Sequence, residues 1–345
     1  MKLGKERDTP MHSGRRGKRS RACLVLIVSS GILAGAGCSS SSDPGPGPGP
    51  GSNLTHPAGT AVTSTAVGSR PYGIAVSKDG VVYVTQLDAG TVTRLSLATG
   101  AIAGTVTAGN VPTDVTFNAS GTTAYVTNQF SGNLGVVNVA AGTQGLTTAV
   151  GGAPFRVALQ PVNGHIYVSS NSDSIYVVDA GTNAVTARIQ VGLDPNGFAF
   201  NAAGTRLWIS NQSDGTVTEL NTATNAVIRT ITVNGTPQDL VVSPDGTELY
   251  IANLATGVEV WNLASASLTL TLPFQGGGFG LALTPDGTQL YVAATVTGKV
   301  YIIDRATHTF VQTLNLGGLP RRIAFSAIGD VAVISNEAGS VTFVR

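Results

Sequence analysis

The chain has 345 residues, of which 44 are glycine, only 11% are charged and 42% are hydrophobic. That hydrophobic fraction excludes a disordered chain, and the lack of a Gly-X-Y period excludes a collagen helix. Abundant Thr, Val, Gly and Asn, with little Leu, Glu or Lys, favour short strands and tight turns over helices. Length alone would suggest about two domains.

The N-terminal residues differ in charge from the rest of the chain. Residues 1–37 have a net charge of +6, which leaves −5 for the remainder. A basic stretch at residues 13–21 precedes an apolar run at 22–36, which is shorter than the roughly 20 residues of a membrane-spanning helix. A basic stretch, an apolar run and small residues are the parts of a secretory signal.

That run ends in Leu33-Ala-Gly-Ala-Gly-Cys38, which resembles the lipobox of bacterial lipoproteins. The resemblance implies a signal peptide over residues 1–37 and lipidation of Cys38. A plainly cleaved signal and an uncleaved anchor are the alternatives, and a start at Met11 would give a signal of more usual length. Because Cys23 lies inside the apolar run, cleavage leaves Cys38 as the only cysteine, and no intramolecular disulfide can form.

A tether is predicted over residues 38–58. Four serines are followed by strict Gly-Pro alternation from Pro44 to Gly51, which disfavours strand pairing and holds a chain semi-extended.

From residue 59 onward one unit recurs. Its marker is a proline at the start of an apolar run, and successive markers are 41, 42, 41 and 42 residues apart. The last interval is twice as long, and a glycine occupies the position at its middle where a proline would be expected. The seven markers are Pro71, Pro112, Pro154, Pro195, Pro237, Gly278 and Pro320. A period of about 40–45 residues is typical of a propeller.

Each unit contains four short apolar runs and two turn signals. A glycine ends the turn after the first run, as in Asp245-Gly246, and such turns need a positive φ at that place. A second turn follows the third run and begins with Asp or Asn, as in Asp179 and Asn221, whose side chains can bond the backbone ahead of them.

The two ends of the repeat region predict ring closure. The seventh unit stops after its third strand, and residues 59–68 resemble the fourth strands of the other units. We therefore predict an all-β fold, a seven-bladed β-propeller with four antiparallel strands per blade, whose last blade is closed by the N-terminal strand. Residues 59–345 would then form one domain.

The second strands carry a shared motif, as in Tyr125-Val-Thr-Asn128 and Tyr250-Ile-Ala-Asn253. Over essentially all of residues 59–345 the chain resembles the YVTN-repeat β-propellers of bacterial and archaeal envelope proteins, within the lactonase-like propellers. That resemblance implies the fold. It does not select a function, because the family includes surface-layer proteins, binding scaffolds and some enzymes.

In a propeller, the loops into the first strands and those between second and third strands share one face, here called the mouth. A central pocket rimmed by arginines and aspartates is one interpretation of its residues, and a solvated, partly salt-bridged mouth is the other. The candidate ligand-binding positions are Arg70, Tyr72, Asp114, Phe155, Arg156, Asn196, Asp239, Phe279, Arg321 and Arg322.

No pattern indicates catalysis or a metal site. His12, His56 and His308 fall in the signal, the tether and a turn, and His165 lies beside a hairpin glycine on the opposite face. This leaves no His cluster for zinc and no Ser-His-Asp set on one face. We predict no catalytic residues, no metal and no cofactor.

The leading hypothesis is a monomeric binding or protein-interaction module of the bacterial cell envelope, held to a membrane through Cys38, whose partner is an envelope protein or a small ligand. The alternative is a lactonase- or lyase-type enzyme acting at the mouth, with Asp114–Arg156 or Asp239–Arg322 as the candidate pair. A partner subunit of a redox complex is a third possibility. The net charge of −5 outside the signal weighs against nucleic-acid binding.

Overall fold

The computed structural model describes residues 55–345, so the predicted signal peptide and residues 38–54 of the predicted tether lie outside the described residues. The described chain forms 28 strands and one 3-10 turn, Thr295–Thr297. Between residues 55 and 345 we find no helix with the length and apolar character needed to cross a membrane.

The strands form seven four-stranded antiparallel sheets, the blades. Blade 1 consists of β2 (Pro71–Val76), β3 (Val81–Gln86), β4 (Thr91–Ser96) and β5 (Ile102–Thr107). Blade 2 consists of β6 (Pro112–Phe117), β7 (Thr123–Asn128), β8 (Asn133–Asn138) and β9 (Thr143–Ala149). Blade 3 consists of β10 (Pro154–Leu159), β11 (Ile166–Ser170), β12 (Ser174–Val178) and β13 (Val185–Gln190). Blade 4 consists of β14 (Pro195–Phe200), β15 (Arg206–Asn211), β16 (Thr216–Asn221) and β17 (Ala226–Thr232). Blade 5 consists of β18 (Pro237–Val242), β19 (Glu248–Asn253), β20 (Gly257–Asn262) and β21 (Ser267–Leu272). Blade 6 consists of β22 (Leu281–Leu283), β23 (Gln289–Ala294), β24 (Lys299–Asp304) and β25 (Thr309–Asn315).

Blade 7 combines both ends of the described chain. Its strands are β26 (Pro320–Phe325), β27 (Ala332–Asn336), β28 (Ser340–Val344) and the N-terminal β1 (Val62–Ala66), and β1 pairs antiparallel with β28 from Val62↔Val344 to Ala66↔Ser340. The predicted all-β, seven-bladed propeller with closure by the N-terminal strand is therefore confirmed.

The hydrophobic core of the described residues includes a ring of seven clusters, each formed between two consecutive blades, and an eighth, smaller cluster of Tyr72, Leu87 and Phe155. Between blades 4 and 5, for example, Trp208 and Val217 pack with Leu240 and Trp261. Because alternate residues of a strand point to opposite faces, each blade contributes apolar side chains to the clusters on both of its sides. Each blade is thus stabilised mainly by its two neighbours.

The turns have the geometry that the sequence predicts. The glycine of every first hairpin, from Gly80 to Gly329, has a positive φ. In the second turn, Asp179 Oδ1 accepts hydrogen bonds from the N–H groups of Gly181 and Thr182 at 3.1 and 2.7 Å. The fifth residue of that turn is left-handed: it is Gly100 in blade 1 and Ala266, with φ of 50°, in blade 5.

We predict that Ala266→Gly raises the free energy of unfolding by about 0.5 to 1 kcal/mol, because relief of the left-handed strain exceeds the entropic cost of glycine. Urea denaturation measures the change. In the same turn, Ala264→Gly is the matched control and should lower stability, since Ala264 is not left-handed. Equal effects of the two variants would contradict this account of the turn.

Candidate functional site

The residue two places after each repeat marker occupies the same position in all seven blades. First strands of successive blades contact one another all the way around the ring, so these residues meet near its axis. They are three glycines, two aspartates and two arginines: Gly73, Asp114, Arg156, Gly197, Asp239, Gly280 and Arg322. We call Asp114, Arg156, Asp239 and Arg322 the axial cluster.

The axial cluster is a buried set of two cations and two anions. Its four residues are between 0 and 2% exposed. Arg156 Nη1 donates to Asp114 Oδ2 at 3.0 Å, and Arg322 Nη2 lies 4.0 Å from Asp114 Oδ1. Because a buried charge is costly without its counter-charge, loss of one member would destabilise the ring by about 3–5 kcal/mol.

Both carboxylates of the cluster also join one blade to the next. Asp114 in blade 2 accepts the N–H of Val157 in blade 3 at 3.0 Å. Asp239 in blade 5 accepts the N–H of Leu281 in blade 6 at 2.8 Å and that of Leu240 in its own strand at 2.9 Å. The cluster therefore has a structural role that is visible in its contacts.

Burial dominates the acid–base properties of the cluster. It raises the pKa of Asp239 to about 6, although the charges of Arg156 and Arg322 and two backbone N–H groups lower it. Burial likewise lowers the pKa of Arg322 to about 9, and the charge of Arg156 adds to that effect.

Three glycines make room for this arrangement. A Cβ on Gly73 would lie 2.6 Å from Asp114 Cα, one on Gly197 would lie 2.9 Å from Asp239 Cα, and one on Gly280 would lie 1.9 Å from the Arg321 carbonyl oxygen. In each case a glycine in one blade faces the backbone at or beside a cluster residue of the next blade. Any side chain at these places would push two inner strands apart.

Aromatic side chains cover the cluster on the mouth side. Tyr72 and Phe155 pack edge to face with ring centroids 5.9 Å apart, and the Arg321 guanidinium lies 4.1 Å from the Phe279 ring centroid and 5.6 Å from that of Tyr72. The three aromatic residues are at most 5% exposed. Arg322 lies 5.7 Å from the Tyr72 centroid. We call Tyr72, Phe155, Phe279 and Arg321 the aromatic lid.

An ion-pair network adjoins the lid where blades 7 and 1 meet. Glu337 accepts from Arg321 Nε at 2.5 Å and also pairs with Arg70, whose Nη1 lies 3.2 Å from Asp88. Burial by itself raises the pKa of Glu337, but the two arginines outweigh it and the pKa is lowered. The Arg70 side chain is 42% exposed, more than that of any other of the ten predicted mouth residues.

Three amide side chains form a second buried group near the mouth, in blades 4 and 5. Asn196 Nδ2 lies 3.4 Å from the side-chain oxygens of both Gln212 and Gln238, and all three residues are buried. Neither Gln212 nor Gln238 is among the ten residues predicted from the sequence. Alignment of the repeats on their prolines places Gln238 one residue after its marker, as it does Asn196.

Nine of the ten predicted residues are buried or have mostly buried side chains, and Arg70 is the exception. For Asp114, Arg156, Asp239 and Arg322, burial to 2% exposure or less contradicts the interpretation as a solvated mouth. The expected Asp114–Arg156 pair is present. As a ligand-binding set the ten residues remain a prediction. Within residues 55–345, no group of three or more His, Cys, Asp or Glu side chains could hold a metal ion.

The shared second-strand motif has a structural explanation. In blades 2, 4 and 7 its third residue donates a side-chain hydroxyl to a carbonyl of the next blade, as Thr127 does to Phe155 at 2.9 Å and Ser210 does to Gln238 at 2.8 Å. In blades 5 and 6 this residue is an alanine. Its Asn accepts a backbone N–H from the loop that enters its own blade, as Asn336 does from Leu319 at 2.7 Å. The motif therefore has a structural role: its side chains connect neighbouring segments of the ring.

Comparison with known proteins supports the fold and leaves the function open. No family model matches the chain, and no curated protein sequence matches it. Among solved structures it is similar to Kuenenia stuttgartiensis hydrazine synthase, with a TM-score of 0.75 and 20% identity over 84% of this chain and 99% of that chain. At that identity the similarity shows a shared fold alone.

We predict that Asp239 makes the protein less stable as pH rises from about 4 to about 6. The folded state holds the Asp239 proton up to about pH 6 and the unfolded state releases it near 3.9, so this contribution is fully present only below about pH 4. Two units of pKa correspond to about 3 kcal/mol. Urea denaturation across that pH range measures the slope.

Asp239→Asn should be less stable overall, because it loses an acceptor for one of two N–H groups, but it should lack this part of the pH slope. Asp245→Asn is the control, since hydrogen bonds from Ser243 and Thr247 keep the pKa of Asp245 well below this range. An unchanged slope in Asp239→Asn would show that another group titrates there.

Proposed function

We propose that this chain is a non-catalytic binding and protein-interaction propeller of the YVTN-repeat type, anchored in the bacterial cell envelope by lipidation of Cys38. The observation that carries the proposal is the state of the axial cluster. Its charges neutralise one another inside the ring, beneath the aromatic lid, so the groups best suited to acid–base chemistry serve the fold.

The same observation weighs against the enzymatic alternative. A general acid or base must come within hydrogen-bond reach of its substrate. Asp114 and Arg156, the candidate pair of a lactonase or lyase, are 1 and 2% exposed. A substrate entering from the mouth would have to displace Tyr72 and Phe155 of the lid, which are themselves 4 and 5% exposed.

Exposed apolar side chains on the mouth loops favour a protein partner. In each blade, the loop between the second and third strands is here called the 2–3 loop. The 2–3 loops form hydrogen bonds with the loops that enter the first strands, as Leu87 N–H does with the Arg70 carbonyl at 3.2 Å, so the two sets of loops form one surface. Phe130 and Val296 project from the 2–3 loops and are 54 and 78% exposed. Loops on a rigid scaffold are common sites of recognition.

The attachment of the N-terminal segment favours a mouth that faces away from the anchor. Thr55 N–H bonds to the Ile328 carbonyl at 2.7 Å, and His56 Nδ1 lies 2.9 Å from Asp286 Oδ2. Both partners belong to first-hairpin turns, on the face opposite the mouth. With Cys38 only 17 positions before Thr55, that opposite face is the one nearer the membrane in this proposal.

Partner capture tests the interaction. After cross-linking in intact cells, the double variant Phe130→Ser, Val296→Ser should capture at least tenfold less partner than the unaltered protein does. Val162→Ser combined with Ile328→Ser is the matched control, because it removes two exposed apolar side chains from the opposite face, and it should retain the partner.

Two results would contradict the interaction proposal. One is equal partner loss in both double variants. The other is turnover of a lactone panel by the purified protein that is abolished in an Asp114→Asn variant shown to be folded by circular dichroism, which would support the enzymatic alternative.

Fractionation tests the anchor separately. Cys38→Ser should move the protein from the membrane to the soluble envelope fraction, because the acyl chains supply most of the membrane affinity. Ser39→Ala is the control and should stay membrane-bound. A Cys38→Ser protein that remains in the membrane fraction would rule out lipidation as the anchor.

A further inference from the structure

An open polar groove lies between blades 3 and 4, away from the axis. Its volume is about 430 Å³, within the range of small-molecule sites. One wall is the end of β13 and the loop that follows it, and the other is the outer half of blade 4. Its polar lining and its one glycine are Gln190, Gly192, Asp214, Thr216, Thr218 and Thr230.

The repeats themselves show why this groove is open. Thr218 lies opposite the middle residue of its second strand, Ile209. The same register position holds Tyr176 in blade 3, Glu259 in blade 5 and Tyr301 in blade 6. These larger side chains fill the space beside their blades: the Tyr176 hydroxyl, for example, would stand 2.6 Å from a Cβ on Gly151 of the adjoining loop.

Blade 4 combines a small side chain at this position with polar groups on both sides of the space. Blades 1 and 7 also have a threonine there, Thr93 opposite Val84 and Thr342 opposite Ile334, and blade 2 has Gly135, whose missing side chain is replaced by that of Gln144. However, the positions of Gln190 and Asp214 are taken by Ala66 and Ala89 at blade 1, and by Asn315 and Ala338 at blade 7. The groove of blade 4 therefore adds an amide and a carboxylate to its hydroxyl groups, and blade 1 does not.

The lining is held in place by hydrogen bonds. Asn211 Nδ2 donates to the hydroxyls of Thr216 and Thr218 at 2.9 Å each, and the Thr218 hydroxyl lies 3.4 Å from that of Thr230. Asp214 Oδ2 accepts the N–H of Leu193 at 2.7 Å, which fixes its carboxylate. These groups are oriented before any ligand arrives, which reduces the entropic cost of binding.

The chemistry of the lining selects a class of ligand. Hydroxyls both donate and accept, an amide does so through separate atoms, and a carboxylate accepts. No lysine or arginine lines the groove, so an anion would meet Asp214 without a counter-charge. A neutral ligand with several neighbouring hydroxyls can satisfy all of these groups together.

We propose that this groove is a binding site for a neutral saccharide. The site lies at the outer edge of the mouth, where Gly192 and Asp214 belong to mouth loops, but it contains neither Phe130 nor Val296. Saccharide binding could therefore fail while partner capture succeeds, and the reverse. With no aromatic residue in the lining for a sugar ring to stack on, affinity is in the millimolar range.

Saturation-transfer difference NMR on the detergent-solubilised full chain tests the proposal, with glucose and N-acetylglucosamine as neutral probes. Thr218→Tyr places in the groove the side chain that blades 3 and 6 carry at this position, and it should weaken binding at least tenfold. Thr93→Tyr makes the same change in blade 1 and should leave binding within twofold of the unaltered protein.

A second variant guards against misfolding of Thr218→Tyr. Gln190→Ala combined with Thr230→Ala changes two exposed side chains and should weaken binding at least fivefold. Glucose 6-phosphate and putrescine serve as anionic and cationic probes. The proposal is overturned if neither neutral sugar gives a saturable signal, if a charged probe binds more tightly than both, or if binding survives in both groove variants.

Discussion

Close approach of the seven inner strands is the constraint on which this structure depends. Seven strands can meet around one axis only if their side chains fit in the space that remains. Gly73, Gly197 and Gly280 remove three of those side chains, and the next blade packs directly against their backbones. The remaining space holds two aspartates and two arginines whose charges balance.

That packing determines what the mouth can do. Charged groups in a solvated funnel would be available to a ligand, but the axial cluster is covered by the aromatic lid and engaged in contacts between blades. A buried ionic network of this kind is weak evidence of net stabilisation, since desolvation offsets much of the attraction. Its contacts to Val157 and Leu281 instead fix how one blade is placed against the next.

Surface recognition is then left to the positions at which the blades differ. The seven repeats share their turns and their inter-blade clusters, because each blade needs them to pack against its neighbours. Phe130, Val296 and the groove beside Thr218 are not required by that packing. In a repeat protein, such departures from the common unit are where binding can be added without loss of the fold.

The sequence by itself determined the seven-bladed ring, because marker spacing, hairpin glycines and a missing fourth strand are all local patterns set by backbone geometry. It also selected residues such as Asp114 and Arg322 as unusual. Only the tertiary structure decided that they are buried, because burial depends on how near the adjacent blades come, which no single repeat encodes. The groove is a similar case, because Thr218 by itself is an ordinary strand residue. Only the structure shows that the space beside it, which a tyrosine fills in blades 3 and 6, is open in blade 4.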